Sequence, residues 1–234
     1  MKTIALLVML VATAAWDGPG MWYAAADGTT PNRSLGGGGI LGTGGQHDYG
    51  IKCSDCHVMR PAETIDLAIV PNPPFANGTY VPGQRYAMTA TMTGATMPCM
   101  TGPNGGGTMK VRNFAASFED DSGALAGALA SDSGQTSASC TLGTTFNTTA
   151  LDGDCKVIFS AGKDLTAWTF SWTAPSTGPV HIYWGGVDGN CDMMSMGDAV
   201  TNGSMTLASP PTARLDDLPP FVRSVVATLL RLVS

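Results

Sequence analysis

Charged side chains are scarce in this sequence: Asp, Glu, Lys and Arg make up 13% of its 234 residues, about half the usual share. With so few charges and a hydrophobic content of 44%, the composition is not that of a disordered chain. The net charge is −6 and no cluster of Lys or Arg forms a basic patch, which argues against nucleic acid as a partner. Histidine is rarer still, with three residues, so general acid–base chemistry has few candidates. No Ser-His-Asp set, no pair of acid/base carboxylates and no nucleotide motif is found, and no enzymatic activity is expected. The run Gly36 to Gly39 lacks the preceding strand and following Gly-Lys-Ser/Thr of a phosphate loop. Asp188, Asn190 and Asp192 begin like a calcium loop but lack Gly at the sixth position and Glu at the twelfth.

Long apolar runs are also missing, with one exception at the start. Met1-Lys2 gives a positive beginning, Thr3 to Ala15 is almost unbroken apolar sequence, and Ala24-Ala25-Ala26 supplies an A-x-A cleavage site before Asp27. This pattern predicts a secretory signal over 1–26 and an exported protein of the periplasm, cell surface or extracellular space. A cut after Ala14 or Ala15, or a retained anchor, are the alternatives. No membrane span is expected in the mature chain.

Glycine is abundant, with 30 residues, and short alternating runs lie between Gly, Pro, Asn and Asp turns. Ile65, Leu67 and Ile69 alternate with Thr64, Asp66 and Ala68, and Tyr86, Met88, Ala90 and Met92 with Ala87, Thr89 and Thr91. Val111, the set Phe114, Ala116 and Phe118, and then Val157 and Phe159 follow. Trp168, Phe170 and Trp172 come next, then Val180, Ile182 and Trp184, and finally Met205 and Leu207. Period-two alternation of this kind predicts an all-β, antiparallel sandwich over 63–210, with Thr and Ser facing water. Ala124 to Ala130 is ambiguous and reads as a short helix. Residues 27–62 are too glycine-rich for regular structure and form an irregular segment. In the tail, 211–234, Phe221, Val222, Val225, Val226, Leu229, Leu230 and Val233 recur at helical spacing after Pro219-Pro220, predicting a short amphipathic helix. Its arginines and length do not suit a span, and packing on a partner or on its own domain is favoured over a membrane surface.

The chemistry is concentrated in Cys53-Ser54-Asp55-Cys56-His57, a C-x-x-C-H sequence, the attachment signature of c-type haem. Two thiols at this spacing reach the two vinyl groups on one porphyrin edge, and the adjoining histidine reaches the iron from the proximal side. One haem c is therefore expected, on Cys53, Cys56 and His57. A thioredoxin-like redox pair, a plain disulfide and a zinc half-site completed by His47 are the competing readings. For the distal iron position the candidates, in order, are His47, His181 and a methionine of the group Met193, Met194 and Met196, or no protein ligand. Four further cysteines, Cys99, Cys140, Cys155 and Cys191, suit two disulfides in an oxidising compartment. Of three connectivities, Cys140 with Cys155 and Cys99 with Cys191 is favoured.

Four stretches resemble bacterial surface proteins with a Reeler-like, "choice-of-anchor" type domain. They are the Gly-rich lead before CSDCH, the strand start TYVPGQRYAMTATMTG, the pair WTFSWTAPSTGPVHIYWGG, and the turns Asp188-Gly189-Asn190 and Met196-Gly197-Asp198. The resemblance spans about Gly36 to Leu207. It implies an immunoglobulin-like β-sandwich with a cytochrome-c-like attachment site, Cys53, Cys56 and His57, at its N-terminal edge. Val58-Met59-Arg60 stands where the family usually has small residues. The expected function is electron transfer by a mono-haem cytochrome, with redox proteins or further copies as partners. The alternative is a structural or adhesive surface module with no redox role, and a haem-based sensor or peroxidase-like enzyme ranks third.

Overall fold

The computed structural model describes residues 41–59, 64–94, 112–139, 149–152, 155–160, 165–189 and 196–209. Expectations for the signal segment, the tail helix, Val111, Met193, Met194, Cys99, Cys140 and Cys191 lie outside the described residues. Among the described residues one helical turn, α1 (Cys53–Cys56), precedes ten strands: β1 (Val58–Met59), β2 (Ile65–Asn72), β3 (Arg85–Gly94), β4 (Arg112–Glu119), β5 (Ala128–Ser131), β6 (Thr149–Leu151), β7 (Val157–Ser160), β8 (Ala167–Thr173), β9 (Val180–Asp188) and β10 (Met196–Leu207). They form two sheets, ordered β1-β10-β9-β4-β7-β6 and β2-β3-β8-β5. Every pairing between these strands is antiparallel except that of β1 with β10. This is the expected immunoglobulin-like sandwich, with a four-stranded sheet facing one extended by added edge strands. Among the described residues no helix is long and apolar enough to cross a membrane.

Alternation sets the core. Leu67 and Ile69 on β2, Tyr86, Met88 and Ala90 on β3, and Trp168, Phe170 and Trp172 on β8 turn inward. They meet Phe114, Ala116 and Phe118 of β4 and Val180 and Ile182 of β9. Trp172 is the hub: its ring stacks on Phe118 at 5.2 Å and Tyr86 at 5.7 Å, and its Nε1 donates to the Ala126 carbonyl at 2.8 Å. A buried indole with its N–H satisfied is one of the largest single contributions a core can hold.

Two local expectations are corrected. Ala124 to Ala130 is not a helix, because Ala128–Ser131 pairs with β8 as β5 and Gly127 before it takes a positive φ of 87°. On β7 it is Ile158 that faces the core. Val157 and Phe159 point to the other side, where they pack with Leu41, Ala115 and Ala150. Strand parity alone cannot tell which face is inner when both faces are covered.

Candidate functional site

The second cover on the larger sheet is the glycine-rich segment itself. Residues 41–57 lie across its outer face as a third layer, and local hydrogen bonds explain their shape. The Asp48 carboxylate accepts from the Leu41 amide at 3.2 Å, the Thr43 amide at 2.8 Å and the Thr43 hydroxyl at 2.7 Å. The Gly44 amide donates to the Ile51 carbonyl at 2.9 Å, closing a small loop with Thr43 opposite Lys52. The chain then enters α1, where the Lys52 amide donates to Asp55 Oδ2 at 2.9 Å and the His57 amide to the Cys53 carbonyl at 2.9 Å. By their spacing, positions 53, 56 and 57 share one side of the turn.

Each part of this arm meets a fixed group on the sheet. Glu119, at the end of β4 and buried, accepts from the Gln46 amide at 2.7 Å and the His47 amide at 3.3 Å. Gly45 approaches so closely that a side chain there would fall on the Glu119 carboxylate. Asn202 Nδ2 donates to the Gly42 carbonyl at 3.0 Å, while its Oδ1 has no partner among the described residues. Cys53 is fully buried, in a cluster with Val187 and Val200, and its Sγ lies 3.4 Å from the Gly42 carbonyl oxygen. A Cβ on Gly185 would come within 2.7 Å of that sulfur and 2.6 Å of the Gly42 oxygen. Glycine at 185 is thus what lets the arm sit down.

His57 closes the segment. Its Nδ1 lies 2.7 Å from Oδ2 of Asp198, a buried carboxylate on β10, and β1 directly after it pairs Val58 with Met196. The other two histidines are elsewhere. His47 Nε2 lies 3.3 Å from Asp152 Oδ2. The hydrogen bond to Asp152 raises the His47 pKa above its ordinary 6.5, against the opposing effect of burial. Burial would push Asp152 up, but hydrogen bonds from His47 and the amides of Val157 and Lys156 outweigh it and hold the carboxyl below its usual range. His181, on β9, meets Asp121 Oδ1 at 2.9 Å and the Thr206 hydroxyl at 3.1 Å. His181 pairs with Glu119 in register, and Asp188 pairs with Arg112 and with Ala199, next to Asp198. Seven residues of strand separate the two rows, about 23 Å at ~3.3 Å per residue. The structure therefore does not bring His47 or His181 to His57. Of the cysteines expected in disulfides, Cys155 lies between β6 and β7, with φ 62° and its amide donating to the Asp152 carbonyl at 3.0 Å.

Haem c can be tested against this geometry. His57 fits: with Nδ1 held by a carboxylate, Nε2 is the nitrogen left for iron, and carboxylate–histidine pairing orients metal-bound imidazoles. Cys53 has the right chemistry, but its docked position does not fit. Its sulfur is sealed against Gly185, Val187 and Val200, with no room for a porphyrin edge. Among the described residues no three His, Cys, Asp or Glu side chains converge as a metal site. Asp198 is a partner that the sequence does not disclose: it stands in Met196-Gly197-Asp198, and no spacing ties it to a histidine 141 residues away.

No family model matches the chain, and no curated protein matches it. Among solved structures it is similar to the Reeler domain of human F-spondin, with a TM-score of 0.37 and 12% identity over 64% of this chain and 94% of that one. It is also similar to the reelin-N domain of F-spondin, with a TM-score of 0.38 and 13% identity over 65% and 93%. A third is Spo0M, a sporulation control protein from Bacillus subtilis, with a TM-score of 0.25 and 10% identity over 74% and 56%. The sandwich is established here by its own strand pairing.

Proposed function

We propose that this chain is an exported mono-haem c-type cytochrome built on a Reeler-like sandwich, with electron transfer at the periplasm or cell surface as its role. The observation that carries the reading is the His57–Asp198 pair directly after a C-x-x-C turn. Cys53 and Cys56 would hold the haem as thioethers and His57 Nε2 would bind its iron. Bound haem supplies a one-electron ferric/ferrous couple. The protein's part is orientation: Asp198 would accept a hydrogen bond from Nδ1–H, fixing the tautomer and strengthening the imidazole as a ligand. His47 and His181 are engaged at the far end of the sheet, so a second protein ligand to bound iron would have to come from a methionine of the group Met193, Met194 and Met196, or be absent. A methionine ligand raises the potential relative to a second histidine, so the midpoint checks this assignment. Export, the pairings Cys140–Cys155 and Cys99–Cys191, and a partner or self-assembly role for the 211–234 tail belong to the same proposal. The test is an intact mass spectrum of protein made with a cytochrome-maturation system. An added macrocycle that disappears in Cys53→Ala/Cys56→Ala is the expected result, and a bare polypeptide mass overturns the reading.

One observation favours a second reading. Cys53 is fully buried, so the motif would serve as a fastening that holds the arm to a structural or adhesive module. Colourless protein whose folding is weakened by Cys53→Ala is the outcome that selects it.

A further inference from the structure

We infer that docking of the 41–53 arm and covalent occupation of Cys53 are mutually exclusive, so that modifying this sulfur lifts the arm from the larger sheet while His57 stays on Asp198. The inference deepens the haem reading and rests on it for the natural modifier, but the exclusion follows from this chain's own packing.

The sulfur is enclosed on every side that matters. Val187 and Val200 pack on it, the Gly42 carbonyl oxygen lies 3.4 Å away, and even one carbon added to Gly185 would sit at 2.7 Å. Thioether formation bonds Sγ to one carbon of a double bond and places the thiol proton on the other, with no net oxidation. The product carries several heavy atoms where the docked arm leaves no space for one. Interiors packed at this density do not stretch to admit a group; they separate. A second observation points the same way. Asn202 Oδ1 beside this seam is buried without a partner among the described residues while its Nδ2 holds the Gly42 carbonyl, and departure of the arm would open this side chain to water. The contacts that docking forms are local: Gly42 to Asn202, Gln46 and His47 to Glu119, and His47 to Asp152. None of these belongs to the core between the sheets, so the arm can open as its own unit. Lifting it would uncover Ala115, Ala150, Val157 and Phe159 together with Val187 and Val200.

The test uses the full chain as Cys56→Ser, leaving Cys53 as the thiol of the motif, and N-ethylmaleimide as the probe, whose double bond accepts a thiol in the same way. Peptide mass mapping locates the label. In the folded protein Cys53 should react at least about 100-fold more slowly than in urea, because reaction waits for opening. After labelling, the amides of Gln46 and His47, which donate to Glu119 in the docked arm, should lose hydrogen-exchange protection, while core amides of β3 and β9 keep theirs. Gly185→Val should release the arm unlabelled, raising Cys53 reactivity towards the unfolded value with the same core amides protected. Equal rates in folded and unfolded protein, or a labelled chain that keeps Gln46 and His47 protected, would overturn the inference. Absence of haem from matured protein would instead overturn the cytochrome reading and leave these outcomes decisive.

Discussion

The outer faces of the two sheets differ in almost every respect. On the four-stranded sheet, Asp66, Ala68 and Val70 of β2, Ala87 of β3 and Ala167 and Thr169 of β8 are exposed, and the sequence alternates as a one-sided sheet should. On the larger sheet, all eight residues of β4 are buried, because the core lies below and the glycine-rich arm above. Apart from Val70, these exposed residues are small or polar. The covered face carries carboxylates that receive the arm, an apolar strip under Leu41 and a glycine where the backbones nearly touch. Glycine-rich sequence that reads as irregular is here a layer fitted to a particular surface.

The comparison can be broken or sharpened in four ways. The core shared by both sheets sets the upper limit: Trp172→Ala should cost about 3–5 kcal/mol in urea unfolding and weaken both faces together. A loss confined to the arm would contradict its place as hub. Gly185→Val on the covered face should cost about 1–3 kcal/mol through overpacking, whereas Thr169→Val on the open face should stay within about 0.5 kcal/mol. Equal effects would mean that the arm does not dock. Asp198→Ala should cost roughly 1–2 kcal/mol and reduce protection of the Cys53 amide. Asp121→Ala removes a mostly exposed partner of His181 and should cost less than about 0.5 kcal/mol. The smallest effect is on pH. Because the folded His47 pKa is raised, its contribution is full below 6.5 and fades as pH rises through the higher folded value. Because that of Asp152 is lowered, its contribution is present above the usual carboxylate range and fades as pH falls through the depressed value. Protection of the Gly44 amide should therefore be greatest between those limits, and His47→Gln should flatten its alkaline side.

Much of the fold was legible because β2, β3 and β8 bury one face, and one-sided burial imprints period-two alternation on the chain. The parity of β7 was not, since Val157, Ile158 and Phe159 are all buried and a strand covered twice carries no parity signal. Ala124 to Ala130 failed for a different reason. Its alanines suit a short helix, but partnership with β8 overrode that preference.

Local chemistry was the sequence's own to determine. The C-x-x-C-H spacing needs one helical turn and nothing more, and the alternating runs need only a partner sheet. Which groups meet across the molecule was decided by tertiary structure alone. Asp198 reaches His57, Gly185 makes room for Cys53, and His47 is carried to Asp152, far from the iron site expected for it. Such contacts depend on where a folded arm crosses a sheet, and no spacing along the chain encodes that crossing.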